Sequence, residues 1–139
     1  MAEQVMRPVP TGSTKVSLYF VVHDSATPFQ PKAALAFNTA GIVVSYAKKK
    51  AARVAITPVT QTVTGAWASG GLVQVDGTNM PGLVRLDVPD AAFAPDGVSD
   101  EVFVSVLATG YEPTVLRVPL IDPIKTDVTL STVSTRTDN

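Results

Sequence analysis

Apolar and polar positions alternate along most of this chain, and the alternation breaks at proline, glycine and Asx clusters rather than at helix caps. The stretch from Trp67 to Pro89 shows it best. Leu72, Val73 and Val75 form an apolar run that ends at Asp76-Gly77-Thr78-Asn79, and Pro81-Gly82 restarts the chain into Leu83–Val88. In that second run Val84, Leu86 and Val88 share one face, while Leu83, Arg85 and Asp87 share the other. Period two predicts a strand with one buried face, paired with the preceding run as a hairpin-like element.

The same reading covers the rest. Residues 1–14 hold Pro8, Pro10 and Gly12 among scattered apolar side chains, which predicts an extended arm, disordered or docked on a neighbour. The β-branched and aromatic run after Lys15, VSLYFVV, predicts the first core strand, ending at His23-Asp24-Ser25. A short strand over Ala33–Phe37, a turn at Asn38–Gly41 and a strand over Ile42–Ala47 read as a hairpin. Ala51–Thr64 continues in Val, Ile and Thr but contains Pro58, which cannot donate to a ladder and so predicts an edge or a bulge.

Gly65–Gly71 is a loop around Trp67. Asp90–Ala94 predicts one helical turn capped by Asp90 and stopped by Pro95-Asp96-Gly97. Glu101–Ala108 alternates through Val102, Val104 and Val106, and Thr114–Ile121 through Leu116, Val118 and Leu120. Pro119 and Pro123 mark this last strand as an edge. Residues 122–139 are mostly Thr, Ser and Asp, with Val128 and Leu130 a period-two pair that could add a strand to another subunit's sheet. Short, evenly spaced strands without a long helix predict an all-β fold, an antiparallel β-sandwich of about seven strands over residues 15–121, flanked by arms at 1–14 and 122–139.

Composition narrows the function. A chain of 139 residues fits one domain. It is 45% hydrophobic and 17% charged, which suggests some surface covered by partners. Net charge is −1, so no global field draws nucleic acid or an anionic membrane, and neither is expected as a partner. With no cysteine, disulfides and thiolate chemistry are excluded. No segment has the length of a signal-peptide core or a membrane span, which predicts a protein that stays where it is made.

Chemistry is sparse. His23 is the single histidine and reads as a solvated or hydrogen-bonded strand end rather than a general base. No nucleophile elbow, Walker or dinucleotide-binding glycine pattern occurs, so no enzyme activity and no cofactor are expected. Asp76, Thr78 and Asn79 offer oxygens, but in ordinary turn chemistry and without EF-hand spacing. Lys48, Lys49, Lys50 and Arg53 form the basic cluster, either solvated or set against an acidic partner surface. Trp67 reads as a cap on the end of the core, with an interface anchor as the alternative. The candidate interface is therefore Lys48, Lys49, Lys50, Arg53, Trp67, Val128 and Leu130.

Three segments, Phe37–Gly41, Thr62–Gly71 and Asn79–Asp90, together resemble a family of small tailed-bacteriophage proteins encoded among virion genes. The likeness spans residues 15–121, and its Pro-Gly-strand part also resembles transthyretin-like and immunoglobulin-like sandwiches. The resemblance implies an immunoglobulin-like sandwich and a virion structural protein assembled in the host cytoplasm. A capsid decoration protein binding the major capsid protein or other virion proteins, as a homo-oligomer on the particle, is the first expectation. A tail, neck or baseplate component is the second. A carbohydrate-binding module is a third, for which exposed aromatics are few.

Overall fold

The structure, a computed structural model, describes residues 4–122. Val128 and Leu130 lie outside the described residues. The chain forms β1 (Gln4–Val5), β2 (Val9–Pro10), β3 (Val16–Val21), β4 (Val43–Lys48), β5 (Val54–Ile56), β6 (Val59–Thr60), β7 (Gly71–Asp76), β8 (Met80–Val88), β9 (Glu101–Leu107) and β10 (Thr114–Ile121), with a 3-10 turn at Asp90–Phe93 between β8 and β9. Two sheets pack face to face as an all-β sandwich. The first runs β1-β10-β9-β4-β5 with β2 also on β10, and the second runs β3-β8-β7-β6.

The core fills from the inward positions of both sheets. Val44, Tyr46, Val102, Val104, Val106, Leu116 and Val118 come from the first sheet, and Leu18, Phe20, Leu72, Val84, Leu86 and Val88 from the second. The period-two reading of β8, β9 and β10 thus selects the residues that enter the apolar core, with Leu120 only partly buried against it. Among the described residues seven strands have three residues or more, and the long pairings are antiparallel. Short parallel pairings of β1 and β2 with β10, and of β6 with β7, make both sheets mixed.

Those parallel pairings come from segments read differently in the sequence. Residues 4–10 are extended, but they lie on the chain's own sheet edge rather than free or on a neighbour. Because they cover β10, that strand is internal, not an edge. Pro119 is accommodated all the same: Leu120 donates to Asp100 on the β9 side, so the nitrogen of Pro119 faces the arm. It falls between the β1 and β2 pairings, opposite the break the arm makes at Arg7-Pro8.

Pro58 marks a change of sheet. β5 ends at Ile56 on the edge of the first sheet, and β6 begins at Val59 on the edge of the second. The crossover passes so close to Gly70 (φ +84°) that a Cβ there would sit 2.1 Å from the Thr57 carbonyl oxygen. Gly82 (φ +87°) serves a similar end, since a Cβ would meet the Val22 carbonyl oxygen at 2.8 Å and Pro31 Cβ at 2.9 Å.

Two expected elements are absent. Ala33–Phe37 is not a strand, and no 33–47 hairpin forms. Ala34 takes a positive φ of 79°, and side chains satisfy this backbone: Gln74 Oε1 accepts the Ala34 N–H, Tyr111 Oη donates to the Ala33 carbonyl, and Thr39 Oγ1 accepts the Ala36 N–H. The segment plugs Leu35 into the core instead. Asp90 does not cap the turn it begins. Pro89 occupies the cap position, and the Asp90 carboxylate accepts the Lys15 N–H at 2.8 Å, tying down the start of β3.

Candidate functional site

Side chains alternate across a strand, so each sheet has an outer face, and the two outer faces are finished differently. On the second sheet the outward positions include Ser17 of β3 and Arg85 and Asp87 of β8. The 61–68 loop closes over them. Asp87 Oδ1 accepts from Arg85 Nε at 2.9 Å and Ser17 Oγ at 2.7 Å, and Oδ2 accepts from Gln61 Nε2 at 2.8 Å, the Ala68 N–H at 3.0 Å and Arg85 Nη2 at 3.2 Å. Arg85 Nη1 donates to the Val63 carbonyl at 3.1 Å.

This is a buried ion pair: Arg85 retains 5% of its exposure and Asp87 none. Burial pushes the Asp87 carboxyl up, but the donors from Arg85, Ala68, Ser17 and Gln61 outweigh it and hold the group below the usual carboxylate range. Both oxygens are saturated by the protein, so the cluster fastens a loop and offers no proton-transfer group. The alternation in β8 had assigned Arg85 and Asp87 to an exposed face. Only the return of a loop some twenty residues earlier in the chain buries them.

The first sheet has no such cover among the described residues. Its outward positions are Val43, Ser45 and Ala47 on β4, Phe103, Ser105 and Leu107 on β9, Val115 and Arg117 on β10 and Val5 on β1. Val43 and Leu107 lie opposite each other and are each about 40% exposed. The charged groups on this face are engaged locally. Arg117 Nε donates to the Glu101 carboxylate, which this bond holds below its ordinary pKa, and Arg53 Nε donates to Ser45 Oγ at 2.6 Å. Between β4, β9 and Arg53 lies a shallow depression of about 250 Å³. A signal for this face exists in the sequence: when Val102, Val104 and Val106 turn inward, Phe103 and Leu107 must turn out.

The sequence-predicted site residues do not converge. Lys48 Nζ donates to the Ala94 carbonyl at 2.7 Å, and Lys49 Nζ lies 3.4 Å from Asp100 and 3.6 Å from Glu101. Lys50 is exposed in a turn at φ 66°. Arg53 leaves the lysines and lies on the outer face of the first sheet, so no four-residue basic patch forms. Trp67 is half-buried and outside the core cluster. Its indole N–H donates to the Val16 carbonyl at 3.1 Å, which pins the 61–70 loop to the start of β3. The phenylalanine rings buried in the core are Phe20 of β3 and Phe93 of the 3-10 turn.

The other polar candidates are likewise drawn into the fold. Asp76 accepts the backbone N–H of Thr78 and Asn79 and the Asn79 side-chain amide, and that side-chain bond leads the fall in its pKa. His23 holds the chain through its backbone, pairing with Pro31 and accepting the Glu112 N–H at 2.9 Å, while its Nδ1 is buried with no partner among the described residues. Among the described residues no group of three or more His, Cys, Asp or Glu is placed to hold a metal, and no helix is long and apolar enough to cross a membrane. Comparison with known protein families, curated proteins and solved structures finds no match in any of the three.

Proposed function

We propose that this chain is a non-enzymatic structural component of a tailed-bacteriophage virion, and specifically a capsid decoration protein that binds and reinforces the head lattice. The observation that carries the reading is the asymmetry of the two outer faces. One is closed by the chain's own loop over a saturated ion pair, and the other leaves Val43 and Leu107 exposed, with Arg117 paired to Glu101 and Arg53 held to the Ser45 hydroxyl. A face of that kind suits docking on protein by shape rather than capture of a charged ligand. The resemblance carried by Phe37–Gly41, Thr62–Gly71 and Asn79–Asp90 supplies the virion context.

On this reading the partner is the major capsid protein or another virion protein, many copies share one repeated contact, and neither nucleic acid nor membrane is engaged. Electron cryomicroscopy of the particle that carries the chain tests it. Decoration requires copies in fixed proportion to the capsid lattice on the outer head. A few copies confined to the tail, neck or baseplate would assign the chain there, and glycan binding without co-sedimentation with particles would remove the virion role.

A further inference from the structure

The segment before β3 joins the body through a short, strained connection. Residues 4–12 are held along β10 and the 3-10 turn, and β3 begins at Val16 in the other sheet, so only Ser13, Thr14 and Lys15 lie between. Both ends of that connection are left-handed. Gly12 has a φ of 83°, which glycine tolerates, whereas Lys15 has a φ of 55°, which a residue with a Cβ adopts only under strain. Ser13 closes the bend, its N–H and its Oγ both donating to the Pro10 carbonyl.

The seat that receives residues 4–12 is specific, and all of it lies beyond the hinge in the chain. Gln4 and Val5 pair with Leu116 and Arg117, and Val9 and Pro10 with Leu120 and Ile121. The Met6 N–H donates to the Arg117 carbonyl and the Thr11 N–H to the Ile121 carbonyl, each at 2.8 Å, and the Gly12 N–H donates to the Phe93 carbonyl at 2.7 Å. Met6 and Val9 pack against the core, and the Gln4 side-chain amide donates to the Val21 carbonyl at 2.8 Å. A second copy of the chain therefore presents the same seat, built for the same residues.

We propose that residues 4–12 exchange between two copies of this chain, each arm seated on β10 of the other copy with the hinge at Gly12–Lys15 opened. Every contact of residues 4–12 with the seat is kept in the exchanged form, so no new surface has to be fitted. Opening the hinge also releases the left-handed strain at Lys15, and a short hinge under strain invites exchange of the element it carries. Pro8 and Pro10 hold the arm extended through their fixed φ, which lowers the entropy lost when it is seated on a partner.

Geometry and concentration set the conditions. Gly12 to Val16 spans at most about 14 Å when extended, so exchanging copies lie edge to edge about a two-fold axis. The closed arm competes at an effective concentration on the order of 1 mM, so dilute chains stay closed and exchange belongs to concentrated chains or copies held side by side. Arm and seat both come from this chain, and the inference does not rest on the virion reading.

The chain has no cysteine, so an introduced pair reports the seat directly. Val5 and Arg117 are register partners, close enough for a disulfide. The double variant Val5→Cys, Arg117→Cys, oxidised at about 1 µM, closes a disulfide within one chain. The two single variants, unfolded together and refolded at about 1 mM, form the mixed disulfide several-fold over the two like-with-like products together, as read by mass spectrometry of the full chains. Lys15→Gly relaxes the closed hinge and lowers the mixed yield several-fold. Gly12→Val strains the closed hinge without a collision, since a Cβ there meets only Pro95 Cδ at 4.0 Å, and raises the yield. A double variant that does not close, a mixed disulfide no commoner than the like pairs, or a yield indifferent to both hinge changes would each overturn the proposal.

Discussion

Gln4 reaches across the sandwich to Val21: its Nε2 donates to the Val21 carbonyl at 2.8 Å, and its Oε1 accepts the Val21 N–H at 3.4 Å. The backbone of Gln4 meanwhile pairs with Leu116 in the opposite sheet. One residue thus continues the first sheet with its main chain and covers the open edge of the second with its side chain, standing in for a peptide group at the end of β3. The segment before Val16 is consequently part of the domain's edge protection.

Gln4→Ala should therefore lower the unfolding free energy by about 1–2 kcal/mol, since two backbone groups lose their partner at a partly buried edge. Urea denaturation measures the loss. Hydrogen exchange locates it: the Val21 amide should exchange faster, and the Phe20 amide, which faces β8, should not.

Asp87→Ala should be the most damaging single substitution on the outer side of the second sheet. It strands the Arg85 guanidinium in a buried position, a loss on the order of 3–5 kcal/mol, and frees Gln61, Ala68 and Ser17 together. The double change Arg85→Met with Asp87→Leu should cost less than Asp87→Ala alone, because no buried charge remains. Equilibrium unfolding of the single and double variants gives the comparison directly.

Acid should weaken the fold through two named carboxyls. Asp87 is held below its ordinary value, and Asp96 is held at about 2 by the backbone N–H groups of Ser99 and Val98 and the Ser99 hydroxyl. A carboxyl whose folded pKa is depressed contributes stability above its unfolded pKa of about 3.9 and loses it as pH falls through the folded value. Stability should be flat above about pH 5, fall below about pH 4, and fall less in Asp87→Asn, whose starting stability is lower. Carboxyl NMR titration should place the Asp96 midpoint near 2.

Gly70→Ala and Gly82→Ala should each destabilise by more than about 2 kcal/mol, since left-handed backbone strain adds to a collision with a carbonyl oxygen. Thermal melting reads both. The Gly70 variant should also loosen the Thr57-Pro58 crossover, seen as faster exchange at Val59, whose N–H donates to the Gly70 carbonyl at 3.0 Å.

Neutralising the predicted basic cluster should change little. Lys50→Ala removes a charge that makes no ion pair among the described residues, and its effect on stability should stay within about 0.5 kcal/mol in the same melting experiment.

By itself the sequence determined the all-β class, the place of β3 as a core strand, the inward residues of β8, β9 and β10, and the hairpin from Gly71 to Val88. Those features depend on period-two alternation and turn chemistry, which act between near neighbours and are written locally. Tertiary structure decided what covers each surface. Whether Arg85 and Asp87 face water depends on a loop returning from residues 61–68, and whether β10 is an edge depends on residues 4–10 reaching it. Pro58 announces a break in the chain, yet only packing sends β5 and β6 to different sheets. The scattering of Lys48–Lys50 from Arg53, and the meeting of Val43 with Leu107, follow from pairings between strands far apart in the chain. A strand states which of its faces is apolar; which face meets water is settled by what the rest of the chain lays over it.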